Sequence, residues 1–116
     1  MGLASADDAA VYRICDDQAL IFTTDFFTPV VDDPYVYGAV AAVNAMSDVY
    51  AMGGTPFSAL SIVGFPAATL PMALMEPLMQ GALDRIHAAG ACLAGGHTIE
   101  NDSLVLGFSV SGLVAR

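Results

Sequence analysis

Four short stretches of this chain carry nearly all of the side chains that could do chemistry. Asp7 and Asp8 sit side by side ahead of an apolar run, and Asp25 ends a segment otherwise made of Leu, Ile, Phe and Thr. Asn44, Ser47 and Asp48 interrupt an apolar or small-residue helix pattern, at the i, i+3 and i+4 spacing that puts them on one face. Each has an ordinary explanation: acidic pairs are common in turns, Asp25 suits a wet strand edge, and the three helix residues suit a solvated stripe. The joint pattern is less ordinary. If Asp8, Asp25 and Asp48 converge, two carboxylates about 4 Å apart repel by roughly 4 kcal/mol at an effective dielectric near 20. The chain has no lysine, and its arginines, Arg13, Arg85 and Arg116, lie outside these stretches. A divalent cation is then the economical counter-charge. All-oxygen ligands favour Mg²⁺, Mn²⁺ or Ca²⁺, and the absence of any CxxC or HxxxH spacing leaves no zinc signature.

The fourth stretch, "AGGHTIE" at 94–100, offers complementary chemistry. Glycines let backbone approach an oxyanion, successive N–H groups can form an anion-binding nest, and His97 could add a donor. A plain structural turn explains Gly95-Gly96 equally well. His87 suits the last turn of a helix, with no chemistry assigned.

Composition narrows the classes. At 116 residues the chain is one domain at most, yet 56% of its residues are hydrophobic, more than a core of this size can hide. The surplus is expected to meet a partner subunit or another domain. A net charge of −9 argues against nucleic acid, which needs a basic patch. The uncharged stretch 49–75 is long enough to span a bilayer, but Gly53-Gly54, Pro56, Gly64, Pro66 and Pro71 would free backbone groups that lipid cannot satisfy. No membrane is expected, and the N-terminus lacks the basic region of an export signal. Cys15 and Cys92 are expected as reduced, buried thiols, which favours a cytoplasmic location.

The elements that must position these groups follow from periodicity. Residues 9–14 and 20–27 read as strands around the turn at Asp16-Asp17. Asp33-Pro34 opens a helix that runs to Gly53-Gly54. Residues 57–64 form a third strand and 71–89 a second helix closed by Gly90. In that helix Met75, Leu78, Met79, Ala82 and Ile86 share a face opposite Asp84 and Arg85, and Pro77 implies a bend unless the helix proper starts near Glu76. Met72, Met75 and Met79 are read as core or interface packing, as are Tyr35, Tyr37, Phe26 and Phe27. A short strand at 92–94 leads into a polar, Gly-rich loop. The last strand sets Leu104, Leu106, Phe108, Val110 and Val114 against Ser103, Ser109 and Ser111. The expected fold is α+β, in the order β-β-α-β-α-β-β, with helices on one face of a mixed, mainly antiparallel sheet.

Taken together, "DDAAVY" (7–12), "TTDFFTPVVDDPYVYG" (23–38), "NAMSDVYAMGGTP" (44–56), "IVGFP" (62–66) and "AGGHTI" (94–99) resemble the selenophosphate synthetase family, also called selenide, water dikinase. The match runs in order along essentially the whole chain. The parent superfamily includes aminoimidazole ribonucleotide synthetase, thiamine-monophosphate kinase and a hydrogenase maturation protein, and shares an N-terminal ATP-binding domain. The "TTDFFTPVVDDP" and "GGHT" forms are similar to the selenophosphate branch.

The resemblance implies that ATP lies across a homodimer, its triphosphate wrapped around Mg²⁺ ions held by aspartates. Asp8 and Asp48 would be metal ligands. Asp25 and the backbone at Ser5, Ala6 and Asp7 would contact ATP, and Gly95, Gly96 and His97 would line the nucleotide pocket from the facing subunit. Asn44 would support them. The family makes selenophosphate, AMP and orthophosphate from selenide, ATP and water. Its full-length members carry a mobile segment with a catalytic Cys or selenocysteine and a nearby Lys ahead of "DDAAVY", and a C-terminal half with a further metal-binding aspartate. Neither Cys15 nor Cys92 matches that nucleophile. The expectation is an isolated N-terminal domain, with no catalytic nucleophile of its own, that pairs with a twin through its sheet. Alternatives are the ATP-binding domain of another superfamily kinase, a non-catalytic dimerisation module, and a purely structural cation site.

Overall fold

A computed structural model describes residues 9–29 and 31–115. Strands β1 (Ala9–Arg13) and β2 (Gln18–Phe27) form an antiparallel hairpin, followed by helix α1 (Pro34–Ala51) and strand β3 (Thr55–Phe65). Helix α2 (Met75–Ala88), strand β4 (Cys92–Glu100) and strand β5 (Val105–Ala115) complete the order expected from the sequence. The sheet runs β1-β2-β5-β3-β4. Every neighbouring pair is antiparallel except β3 and β4, whose parallel pairing requires the long crossover that α2 supplies. No helix among the described residues is long and apolar enough to cross a membrane.

The helix boundaries have local causes. The Asp33 carboxylate accepts from the Tyr35 and Val36 N–H groups, with Pro34 in the first turn where no donor is needed. At the far end the Gly54 N–H reaches the Val49 carbonyl and the Gly53 N–H the Tyr50 carbonyl, a Schellman closure that needs the positive φ of Gly53. A 3₁₀ turn at Met72–Leu74 leads into α2, so Pro77 falls within the first helical turn, where its missing donor costs no helix bond.

Both helices cover one face of the sheet. Tyr37, Ala41, Ala42, Ala45, Met46 and Val49 of α1 meet Leu78, Ala82 and Ile86 of α2 and the inward side chains Ile21, Val63, Leu106, Phe108 and Val110. The helices approach closely at two glycines: a Cβ on Gly38 would overlap the Leu78 carbonyl oxygen, and one on Gly81 the Tyr35 carbonyl oxygen. Met75 and Met79 pack against this core as expected, whereas Met72 is exposed. Tyr37 is buried and Phe27 packs on the core, but Tyr35 and Phe26 are exposed.

Two expectations are corrected. The polar stretch after Ala94 is no loop: β4 continues through Gly95, Gly96 and His97 to Glu100. Parallel pairing to β3 supplies the ladder bonds, and an extra residue at the register shift between Ala59 and Leu60 absorbs the irregularity. Its residues look loop-like because β4 is an edge strand, mostly exposed along its length. The cysteines are free but both are exposed, Cys15 in the β1–β2 turn and Cys92 on β4. These lie at opposite edges of the sheet, four strand spacings or roughly 19 Å apart, beyond reach of a bridge within the chain.

The face of the sheet opposite the helices carries Tyr12, Phe22, Phe26 and Leu60, each between 42% and 55% exposed. No described element covers it.

Two measurements check this packing. Gly38→Ala forces a methyl against backbone and should cost about 3 kcal/mol or more in urea unfolding, with a lowered midpoint and unchanged slope. Burial raises the Tyr37 pKa from 10.0 to about 12. Between those values the folded state keeps a proton that the unfolded chain releases, so stability should fall as pH rises from 10 to 12. Tyr37→Phe should flatten that alkaline limb.

Candidate acidic site at the β2–α1 junction

Strand alternation in "ALIFTTDFF" turns Ala19, Ile21, Thr23 and Asp25 toward the helices. Thr23 is 2% exposed. Its hydroxyl donates to Asp48 Oδ2 at 3.0 Å, across the interface between β2 and α1, and lies 3.5 Å from Asp25 Oδ2. Of these two contacts the one to Asp48 is the shorter. The sum of the two distances, about 6.5 Å, is the furthest apart the two carboxylate oxygens can be. At that separation like charges repel by roughly 2–3 kcal/mol at an effective dielectric near 20.

Helix α1 is pinned to β2 at a second point. The Tyr37 hydroxyl donates to the Phe27 carbonyl oxygen. Eleven residues of helix separate Tyr37 from Asp48, a rise of roughly 16 Å, and the four strand residues from Phe27 to Thr23 span roughly 14 Å. The helix therefore runs back along β2 with both contacts in step.

The described arginines are placed elsewhere. Arg13 pairs with Asp16 at 2.7 Å in the β1–β2 turn, and Arg85 lines a shallow recess with Ala39, Val40, Val43 and Asn44. Asn44 thus faces α2, while Ser47 is exposed and donates to the Asn44 carbonyl. Of the three polar residues that share a helical face, only Asp48 is bonded to the strand. Asp84 accepts from Tyr35 and Gln80, and the Tyr35 hydroxyl holds its carboxyl below the usual range.

Gly95, Gly96 and His97 do not join this cluster within one chain. Pairing aligns Asp25 with Phe108, Phe108 with Ser61 and Ser61 with Gly96, so Asp25 and Gly96 share one row of the sheet. They stand three strand spacings apart, roughly 14 Å. His97 belongs to the next row, with Ile62, Gly107 and Phe26, on the opposite face. Nor does this stretch form an anion nest. The described glycines with positive φ are Gly53 and Gly90, and Gly95 and Gly96 are extended. The glycine at 96 serves close approach instead, since a Cβ there would strike the Ser61 hydroxyl.

Ser5, Ala6, Asp7 and Asp8 lie outside the described residues. Ala9, the covalent neighbour of Asp8, pairs with Thr23. Among the described residues no group of three or more His, Cys, Asp and Glu side chains is gathered as a metal site. Two carboxylates and a hydroxyl meet here, a hard oxygen set of the kind Mg²⁺, Mn²⁺ or Ca²⁺ takes, but an incomplete one. Sequence reading by residue type passed over Thr23, although the period-2 pattern of β2 already placed it on the inward side with Asp25.

Comparison with known proteins gives the family of the chain. Residues 6–114 match the model of the AIR synthase related protein, N-terminal domain. The chain is 52% identical over 114 residues to the selenide, water dikinase of Pelobacter propionicus, covering 98% of this chain and 33% of that protein. It is 52% identical over 115 residues to the enzyme of the same name from Clostridioides difficile, covering 99% and 33%. The chain therefore spans about a third of the length of these curated relatives. Among solved structures, AaThiL complexed with AMPPCP and TMP superposes with a TM-score of 0.86 at 25% identity, over 95% of this chain and 37% of that one. The Thermotoga maritima PurL complexed with ADP superposes at 0.77 with 18% identity, over 95% and 19%, a likeness of fold. With five strands and two helices in the matching arrangement, this chain belongs to the family of AIR synthase related proteins and comprises its N-terminal domain.

Proposed function

We propose that this chain is the Mg-ATP-binding and dimerisation domain of a selenophosphate synthetase, which makes selenophosphate, AMP and phosphate from selenide, ATP and water. The observation that carries the reading is the meeting of Asp25 and Asp48 at the Thr23 hydroxyl. Ala9 of β1 pairs with Thr23. Identity near 50% to selenide, water dikinases favours that branch over the thiamine-monophosphate kinases, of which the Aquifex aeolicus and Stenotrophomonas maltophilia structures stand at 22% and 21%.

Under this reading Asp8 and Asp48 hold Mg²⁺, Asp25 contacts the nucleotide, and the backbone at Ser5, Ala6 and Asp7 closes on the phosphates. Bound Mg²⁺ supplies charge neutralisation for the triphosphate and the carboxylates alike. The protein's own part is to present fixed oxygens and to hold α1 in register with β2. Gly95, Gly96 and His97, three strands from Asp25, line the pocket of the facing subunit. The uncovered sheet face with Tyr12, Phe22, Phe26 and Leu60 is the surface that pairs, and its burial offsets the apolar surplus of the composition. The complete reaction belongs to the full-length protein, in which a Cys or selenocysteine nucleophile with its Lys and a C-terminal domain act with this one, in the cytoplasm.

Thermal unfolding with Mg²⁺, ATP and both tests the nucleotide site. Both together should raise stability by about 2.7 kcal/mol at one hundred times the dissociation constant, and Asp48→Asn should abolish the shift while leaving the unliganded midpoint near the parent's. Silence of the parent chain at millimolar Mg-ATP would refute the assignment. For the pairing surface, sedimentation at micromolar concentration should give a dimer, and Phe22→Asp a folded monomer. A monomeric parent would overturn the interface.

A further inference from the structure

We infer that Thr23 is a positioning residue for cation binding, setting the orientation of the Asp48 carboxylate before any ion arrives and thereby favouring small, strictly octahedral cations. The inference rests on the Mg-ATP reading above and deepens it. Thr23 touches neither nucleotide nor metal in this role; it acts through Asp48.

Three features make it suited to that role. First, it is 2% exposed, so its donor is shielded from competing water and the 3.0 Å bond to Asp48 Oδ2 is not exchanged for hydration. Second, a β-branched side chain on a strand is stiff at χ1, so the hydroxyl position is set by backbone that is paired on both sides, to Ala9 of β1 and Val110 of β5. Third, the two elements it joins are held in step by the separate contact of Tyr37 with Phe27, so the bond to Asp48 is free to orient a carboxylate and is not the sole tie between helix and strand.

The consequence for a cation is specific. A carboxylate able to rotate can serve ions of many sizes, whereas one tied through Oδ2 presents a set geometry. Mg²⁺ and Mn²⁺ demand near-ideal octahedral positions, while Ca²⁺ tolerates irregular ones. Partners that orient a metal ligand typically contribute a factor of about 10–100 in metal affinity.

The test compares the parent chain with Thr23→Val, which keeps shape and loses the hydroxyl, and with Thr23→Ser, which keeps the hydroxyl and loses the branch. Free Mn²⁺ is counted by its electron paramagnetic resonance signal during titration at saturating non-hydrolysable ATP analogue, and Ca²⁺ affinity is obtained by displacement. Thr23→Val should weaken Mn²⁺ about 10–100-fold, with a clearly smaller loss for Ca²⁺, and Thr23→Ser should recover most of the Mn²⁺ affinity. Circular dichroism and thermal midpoints establish that each variant is folded. Parent-like Mn²⁺ affinity in Thr23→Val overturns the inference alone, and so do equal losses for both cations accompanied by a lowered midpoint, which would mark a merely structural hydroxyl. No Mn²⁺ uptake by the parent chain would instead overturn the nucleotide reading and this inference with it.

Discussion

The close seating of α1 on the sheet is the constraint from which the rest follows. The helix buries a face of small residues, Ala41, Ala42 and Ala45, and ends it with Val49. Val49 settles over Gly54 and Gly112, where any Cβ would meet its Cγ1 methyl. Bulkier residues at those positions would lift the helix by an ångström or more, and a 3.0 Å hydrogen bond does not survive such a displacement. Asp48 is the residue before Val49, so the apolar contact that stabilises the fold also brings a carboxylate to Thr23. The second helix approaches the first closely in the same way, through Gly38 and Gly81, and adds Leu78, Ala82 and Ile86 to the core.

The acidic junction is thus a place where packing brings Asp25 and Asp48 to one hydroxyl. Two carboxylates near one buried hydroxyl repel, and the described arginines are engaged at Asp16 and beside Asn44. The opposite face of the sheet poses a parallel case. Tyr12, Phe22, Phe26 and Leu60 are held at a surface by strands whose alternation leaves them no other side, and a flat apolar face is favourable once it is covered. One domain thus presents an acidic junction on one face and an apolar surface on the other.

Much of this was legible in the residues. The alternation of β2 and β5, the Asp33-Pro34 start, the Gly53 and Gly90 stops and the two-helix order all came from local chemistry, and all stand in the structure. Where reading failed, the cause was non-local. "GGHTIE" looked like a loop because it is polar and rich in glycine, but an edge strand needs burial on neither side and takes its hydrogen bonds from β3. Cys15 and Cys92 were expected inside because thiols usually are, whereas a hairpin turn and an edge strand place both outside. Thr23 went unnoticed because threonine in a strand is unremarkable until something stands opposite it.

By itself, then, the sequence determined the elements, their order, the oxygen-rich character of any site and the excess of apolar surface. Those properties depend on backbone periodicity, capping and side-chain type, which act within a few residues of one another. Only the tertiary structure decided that Asp48 meets Thr23 and Asp25, that Asn44 turns away toward Arg85, and that Gly96 stands three strands from the acid it aligns with. Those outcomes depend on strand order and on how near a helix can lie to its sheet, which the whole core settles at once.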